Sequence, residues 1–160
     1  MAALPPQIER ILAFLGAIGI SVSIEPVDES SLLPGATIRS GGLIFDPALP
    51  YPGDLLHEAG HIAVTDPALR PTLGEIPSDP AEEMAAIAWS YAAALAAGIE
   101  PALVLHDQGY QGGGGYLVEA MAGALPPGVP MLQLWGMTAA RGQAKALGLP
   151  AYPAMARWLR

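Results

Sequence analysis

The sequence predicts an α+β fold in which a small antiparallel sheet precedes two long helices. Three observations predict it. "ISVSIEPV" from residue 20 alternates with period two, "ATIRSGGLIFDP" from residue 36 holds two β-prone runs joined by glycines, and elsewhere apolar residues recur at helical spacing. At 160 residues, 52% hydrophobic and 14% charged, the chain is sized for one domain, 1–160, with a sizeable core.

The first helix is expected to start near Pro5, because Pro is tolerated in a first turn and Ile8, Ile11, Leu12, Leu15 and Ile18 follow at helical spacing. Glu9 and Arg10 interrupt this segment, so it lacks the basic start and unbroken apolar core of a signal peptide. A soluble, cytoplasmic protein with no membrane partner is expected. The strand of residues 20–27 then places Ile20, Val22 and Ile24 on one face, and residues 28–35 form a polar turn region. Gly41-Gly42 accepts the positive φ angles of a tight hairpin.

Gly53 or Asp54 can cap the next helix. It ends near Thr65-Asp66, because Pro67 disfavours helical geometry in the residue before it. A Pro-rich loop, 66–80, leads to a helix capped by Ser78 or Asp79, alanine-rich through "AEEMAAIAWSYAAALAAG" and stopped by Gly98. A glycine-rich loop at 112–115 and a short helix follow, and the tail reads as helical from Thr138 to Gly148 and again from Pro153. Trp89, Trp135 and Trp158 are expected in the core or an interface, and Met84, Met121, Met131 and Met137 in packing. The high apolar fraction fits either buried helices or a homo-oligomer surface.

Net charge is −8, with seven Lys plus Arg. These are scattered along the chain, which argues against nucleic acid as a partner. With no cysteine, any bound metal must be held by histidine and carboxylate.

Residues 57–61 read "HEAGH". Residues four apart share a helix face, so His57 and His61 can turn imidazole nitrogens on one ion. Glu58, rotated by about 100°, reaches a water beside the ion instead. Zinc would make that water acidic, and Glu58 would take its proton and deliver it to a leaving amine. The competing reading is an amphipathic helix with two ordinary histidines and no metal. Gly60 costs a helix about 1 kcal/mol against Ala, but its missing side chain lets another segment approach closely.

A catalytic zinc needs a third protein ligand. Glu82 and Glu83 open the alanine-rich helix, where a carboxylate also gains from the helix dipole alone. Helical phase favours Glu83, which shares a face with Ile87 and Tyr91, over Glu82, which shares one with Ala86, Trp89 and Ala93. His106 and Asp107 are the next candidates. His106, Tyr110 and Tyr116 surround the glycine-rich loop and are candidates to polarise a scissile carbonyl, or else packed loop residues.

"HEAGH", followed 21 to 22 residues later by a glutamate in "EEMAAIAWSYAAALAAG", resembles the gluzincin pattern, in particular the small ImmA/IrrE-like metallopeptidases. The resemblance covers residues 36–98. It implies a zincin-like fold with an active-site helix and a second ligand-bearing helix, with His57, His61 and Glu83 as Zn2+ ligands and Glu58 as general base. It also implies a peptide or protein substrate bound alongside the strand nearest the site. The expected function is zinc-dependent amide hydrolysis. The alternative is a zinc-binding regulatory or protein-interaction module with little catalysis, in which the open coordination position would be occluded.

Overall fold

The computed structural model describes residues 2–31, 33–75, 79–110 and 112–160. Among these, seven α-helices and three strands form a mixed α and β architecture. Strands β1 (Val22–Ile24), β2 (Ala36–Arg39) and β3 (Gly42–Phe45) form one sheet in the order β1-β3-β2. β2 and β3 are the expected antiparallel hairpin, with Ala36 opposite Phe45. Its turn falls one residue earlier than the glycine pair suggested: Ser40 and Gly41 take positive φ, and Gly42 already belongs to β3.

The sheet is mixed, not purely antiparallel, because β1 pairs parallel with β3, Val22 opposite Leu43. The chain reverses once between β1 and β2 and again at the hairpin, so β1 and β3 point the same way. The connection carries β2 to the far side of β3, leaving β1 and β2 as the two edges. Burial in β1 differs from the alternation accordingly. Ile20 is buried just before the strand, while Ile24 is 48% exposed on the edge.

Helix α1 (Pro6–Ile18) buries Ile8, Ile11 and Leu15 as its spacing predicts. Helix α2 (Asp54–Val64) packs on β2 and β3. Gly53 occupies its N-cap position, Asp54 lies in its first turn, and it stops at Thr65, whose backbone is extended. Its last carbonyls, which have no partner within the helix, are met by two arginines. Arg70 Nε donates to Ile62 O at 3.1 Å and its terminal nitrogen to Thr65 O at 3.2 Å, while the Arg160 amide donates to Ala63 O at 2.9 Å. Cations at this end also complement the helix dipole.

Helix α3 (Pro80–Ala97) is capped by Asp79, whose side chain accepts the Glu82 N–H. Ser78, the other candidate cap, lies outside the described residues. Every residue from Ala85 to Ala94 is buried, including Trp89 at 0% exposure, so α3 is a core helix and not an amphipathic one. It crosses α2 where Gly60 lies. A Cβ at Gly60 would stand 2.8 Å from the Ala86 carbonyl oxygen and 3.3 Å from Trp89 Cε3. Gly60→Ala gains about 1 kcal/mol in helix propensity, but the overpacking costs about 1–3 kcal/mol, and the obstacle is backbone, which cannot swing aside. We expect a lower melting temperature for Gly60→Ala in thermal unfolding; an unchanged or higher one would show that the helices have room.

After α3 come α4 (Pro101–Val104), α5 (Gly114–Ala122), α6 (Val129–Leu134) and α7 (Ala144–Leu147). Gly114 and Gly115 begin α5, so part of the expected glycine loop is helical. The tail departs further from expectation. Only α7 is helical after residue 138, and the chain from Pro153 onward is irregular. Here the tail forms long-range bonds incompatible with a local helix. Thr138 Oγ1 donates to Ala154 O, Ala139 bridges Ala151, Tyr152 donates to Ala88 O at 2.7 Å, and Trp89 Nε1 donates to Trp158 O at 2.9 Å. The tail thereby closes over α3. No helix among the described residues is long and apolar enough to cross a membrane.

Candidate metal centre

The close crossing of α2 and α3 at Gly60 brings the start of α3 against the histidines of α2. His57 Nε2 and His61 Nε2 are 3.1 Å apart, Glu83 Oε1 is 3.4 Å from His57 Nε2, and Glu83 Oε2 is 3.1 Å from His61 Nε2. Two imidazole Nε2 atoms at this distance either share one proton or turn both lone pairs on one cation. Zinc ligands at about 2.0–2.1 Å in a tetrahedron stand about 3.3 Å apart; the two imidazole nitrogens lie close to that separation, as does each from its nearer Glu83 oxygen, Oε1 for His57 and Oε2 for His61. The donor set of two imidazoles and one carboxylate also suits zinc better than calcium or magnesium, which prefer oxygen alone. His57, His61 and Glu83 are thus a group that could hold a metal ion.

Burial does not separate Glu83 from Glu82, because both helix faces beyond them are buried. Distance does. Glu83 reaches both imidazoles, and Glu82 makes no ion pair with either among the described residues.

Tyr110, 53 residues from His57, places its hydroxyl 2.6 Å from His57 Nδ1. With the proton on Nδ1, the ring donates to the tyrosine oxygen and leaves its Nε2 lone pair facing His61 and Glu83. Tyr110 is itself held by the turn that starts at His106. The Gly109 N–H donates to His106 Nδ1 at 3.1 Å, so His106 Nε2 carries the proton and donates to Asp54 Oδ1 at 2.7 Å. Tyr51 stacks on the same imidazole.

The three residues considered for carbonyl polarisation differ in their surroundings. His106 is engaged by Asp54 and Gly109, Tyr110 bonds His57 and lines a small cavity with His57 and Glu83, and Tyr116 is 73% exposed. Asp107, an alternative ligand, accepts the Gly114 N–H. The roles of Tyr110 and Asp54 beside His57 were not legible from sequence spacing; Asp54 left a trace only as a carboxylate one turn before His57.

The electrostatics follow from burial. Burial, aided by His61 and opposed by Glu83, pushes the His57 imidazole down to about 4, which keeps its lone pair free. At His61 burial also lowers the pKa, but the hydrogen bond and charge of Glu83, with Glu58 and Glu82, outweigh it and raise it overall. Asp54 is raised by burial against the opposing pull of His106. Glu58 is 6% exposed, and burial, opposed by His61 and reinforced by Glu75, Asp54 and Glu83, pushes its carboxyl up to about 7. It has no hydrogen-bond partner among the described residues and faces a cavity of about 380 Å³, onto which His57, His61 and Glu83 also open.

No protein-family model matches this chain, and neither a curated protein nor a solved structure matches it.

Proposed function

We propose that this protein is a zinc-dependent peptidase of gluzincin type, built on a zincin-like core of the β2–β3 hairpin, α2 and α3. The observation that carries the reading is the convergence of His57 Nε2, His61 Nε2 and the Glu83 carboxylate, whose Oε1 lies 3.4 Å from His57 and whose Oε2 lies 3.1 Å from His61. Zinc held there would act as a Lewis acid, polarising the scissile carbonyl and making water nucleophilic near neutral pH. Glu58 accepts the proton of the attacking water as the new C–O bond forms, and returns it to the amine nitrogen as the C–N bond breaks.

The cavity supports catalysis over a purely structural metal, since a closed site would leave no room for substrate. β2 is an edge strand and its Ile38 lines the cavity, which suits an extended peptide laid beside it. Tyr110 orients His57. Tyr110→Phe should therefore weaken zinc binding by about 10–100-fold, as loss of such supporting hydrogen bonds does elsewhere; competition with a chromophoric chelator measures this, and parental affinity would remove Tyr110 from that role.

The test of the reading is hydrolysis of quenched-fluorescent peptide pools by the zinc-loaded protein. Cleavage should stop on chelation and return with added zinc. No cleavage of any pool, or cleavage indifferent to the chelator, would overturn it.

A further inference from the structure

The cleft holds more negative charge than zinc binding and proton transfer use. Besides Glu58 and Glu83 it is lined by Glu75, Asp79 and Glu82, and among the described residues no lysine or arginine lines it. These carboxylates come from separate parts of the chain. Glu75 belongs to the loop after the 3₁₀ turn Arg70–Thr72, and the Thr37 hydroxyl of edge strand β2 donates to it at 2.9 Å. Asp79 caps α3, and Glu82 lies in the first turn of that helix. A divalent ion would balance the charges of Glu58 and Glu83, and Glu75, Asp79 and Glu82 add three further carboxylates to the cleft. Independently of them, Glu58 presents a carboxyl, buried and without a hydrogen-bond partner among the described residues, to the same space.

Leu33, Ile38, Val64 and Leu73 add an apolar part to the wall. Such a wall accepts the methylene stem of a long basic side chain while its charged end meets carboxylates. In a partly enclosed cleft those attractions are less screened than on an open surface.

We propose that the cleft selects peptides carrying an ammonium or guanidinium group beside the scissile bond, with Glu75 and Glu82 as the specificity-determining carboxylates. This rests on the peptidase reading and adds a substrate class to it. The cation has two sources, a lysine or arginine side chain or a free peptide N-terminus.

The test uses the zinc-loaded Glu58→Gln protein, which separates binding from turnover. Fluorescence anisotropy is measured with randomised octapeptide pools that share one fixed central residue, Lys, norleucine or Glu, each with the N-terminus acetylated or free. The acetylated Lys pool should bind about tenfold more tightly than the norleucine pool, and the Glu pool more weakly than both. If the α-amino group is the source, the advantage appears instead between free and acetylated norleucine pools. Adding Glu75→Gln and Glu82→Gln should shrink the preference to within about threefold, with each single change removing part of it. Equal binding of all pools, no binding, or a preference that survives both changes would overturn the proposal. A second zinc equivalent lost in the Glu75→Gln, Glu82→Gln variant would also overturn it, assigning these carboxylates to a metal. Failure of the peptidase reading is visible separately, as wild-type protein that binds zinc yet cleaves no pool.

Discussion

Glu58→Gln is expected to bind zinc like the parent and to lose hydrolysis by about 10²–10⁴-fold, the usual contribution of a positioned general base. The two halves have separate causes. Zinc is retained because the donor triangle consists of His57, His61 and Glu83, and Glu58 is outside it. Hydrolysis is lost because an amide of the same shape cannot take a proton from water. The substitution also replaces a buried carboxyl that has no hydrogen-bond partner among the described residues, so the fold should not suffer. The measurement pairs zinc content with the initial rate on the peptide pools, and an undiminished rate would remove Glu58 from the role of base.

Glu83→Ala and Glu82→Ala are expected to diverge just as sharply, although the residues are neighbours in one helix turn. Glu83→Ala leaves two donors where three converged, and zinc affinity should fall by more than the roughly 100-fold that a lost supporting hydrogen bond costs. Glu82→Ala removes only a first-turn carboxylate, worth about 0.3–1 kcal/mol of helix stability, and its affinity should stay within a few-fold of the parent. Chelator competition distinguishes them. Reversal would move the ligand to Glu82, and parental affinity in both would place the third donor elsewhere.

What was legible in the sequence was what local geometry controls. The i, i+4 spacing of His57 and His61 put both rings on one side of α2, and Gly60 marked the place where a second helix comes close. Proline and glycine set the ends of α2 and α3. Helical phase pointed to Glu83, yet for an incomplete reason, since the Glu82 face is as buried and only the position of α2 distinguishes them. What was not legible depends on partners far along the chain. The parallel pairing of β1 with β3 reflects where β2 is delivered, and no pattern within "ISVSIEPV" encodes it. The tail has helix-forming alanines, but Thr138 and Tyr152 find hydrogen-bond partners only in an irregular path across α3. Tyr110 reached His57 through a turn fixed by Asp54 and His106, three residues whose separations in sequence carry no motif.

Zinc titration of the purified, metal-stripped protein asks whether His57, His61 and Glu83 hold the ion proposed for them. One equivalent per chain is expected, retained through gel filtration and lost in both His57→Ala and His61→Ala. Protein that retains no zinc, cobalt or manganese after incubation with excess metal would contradict it, and would leave HEAGH as a turn of core helix with two histidines.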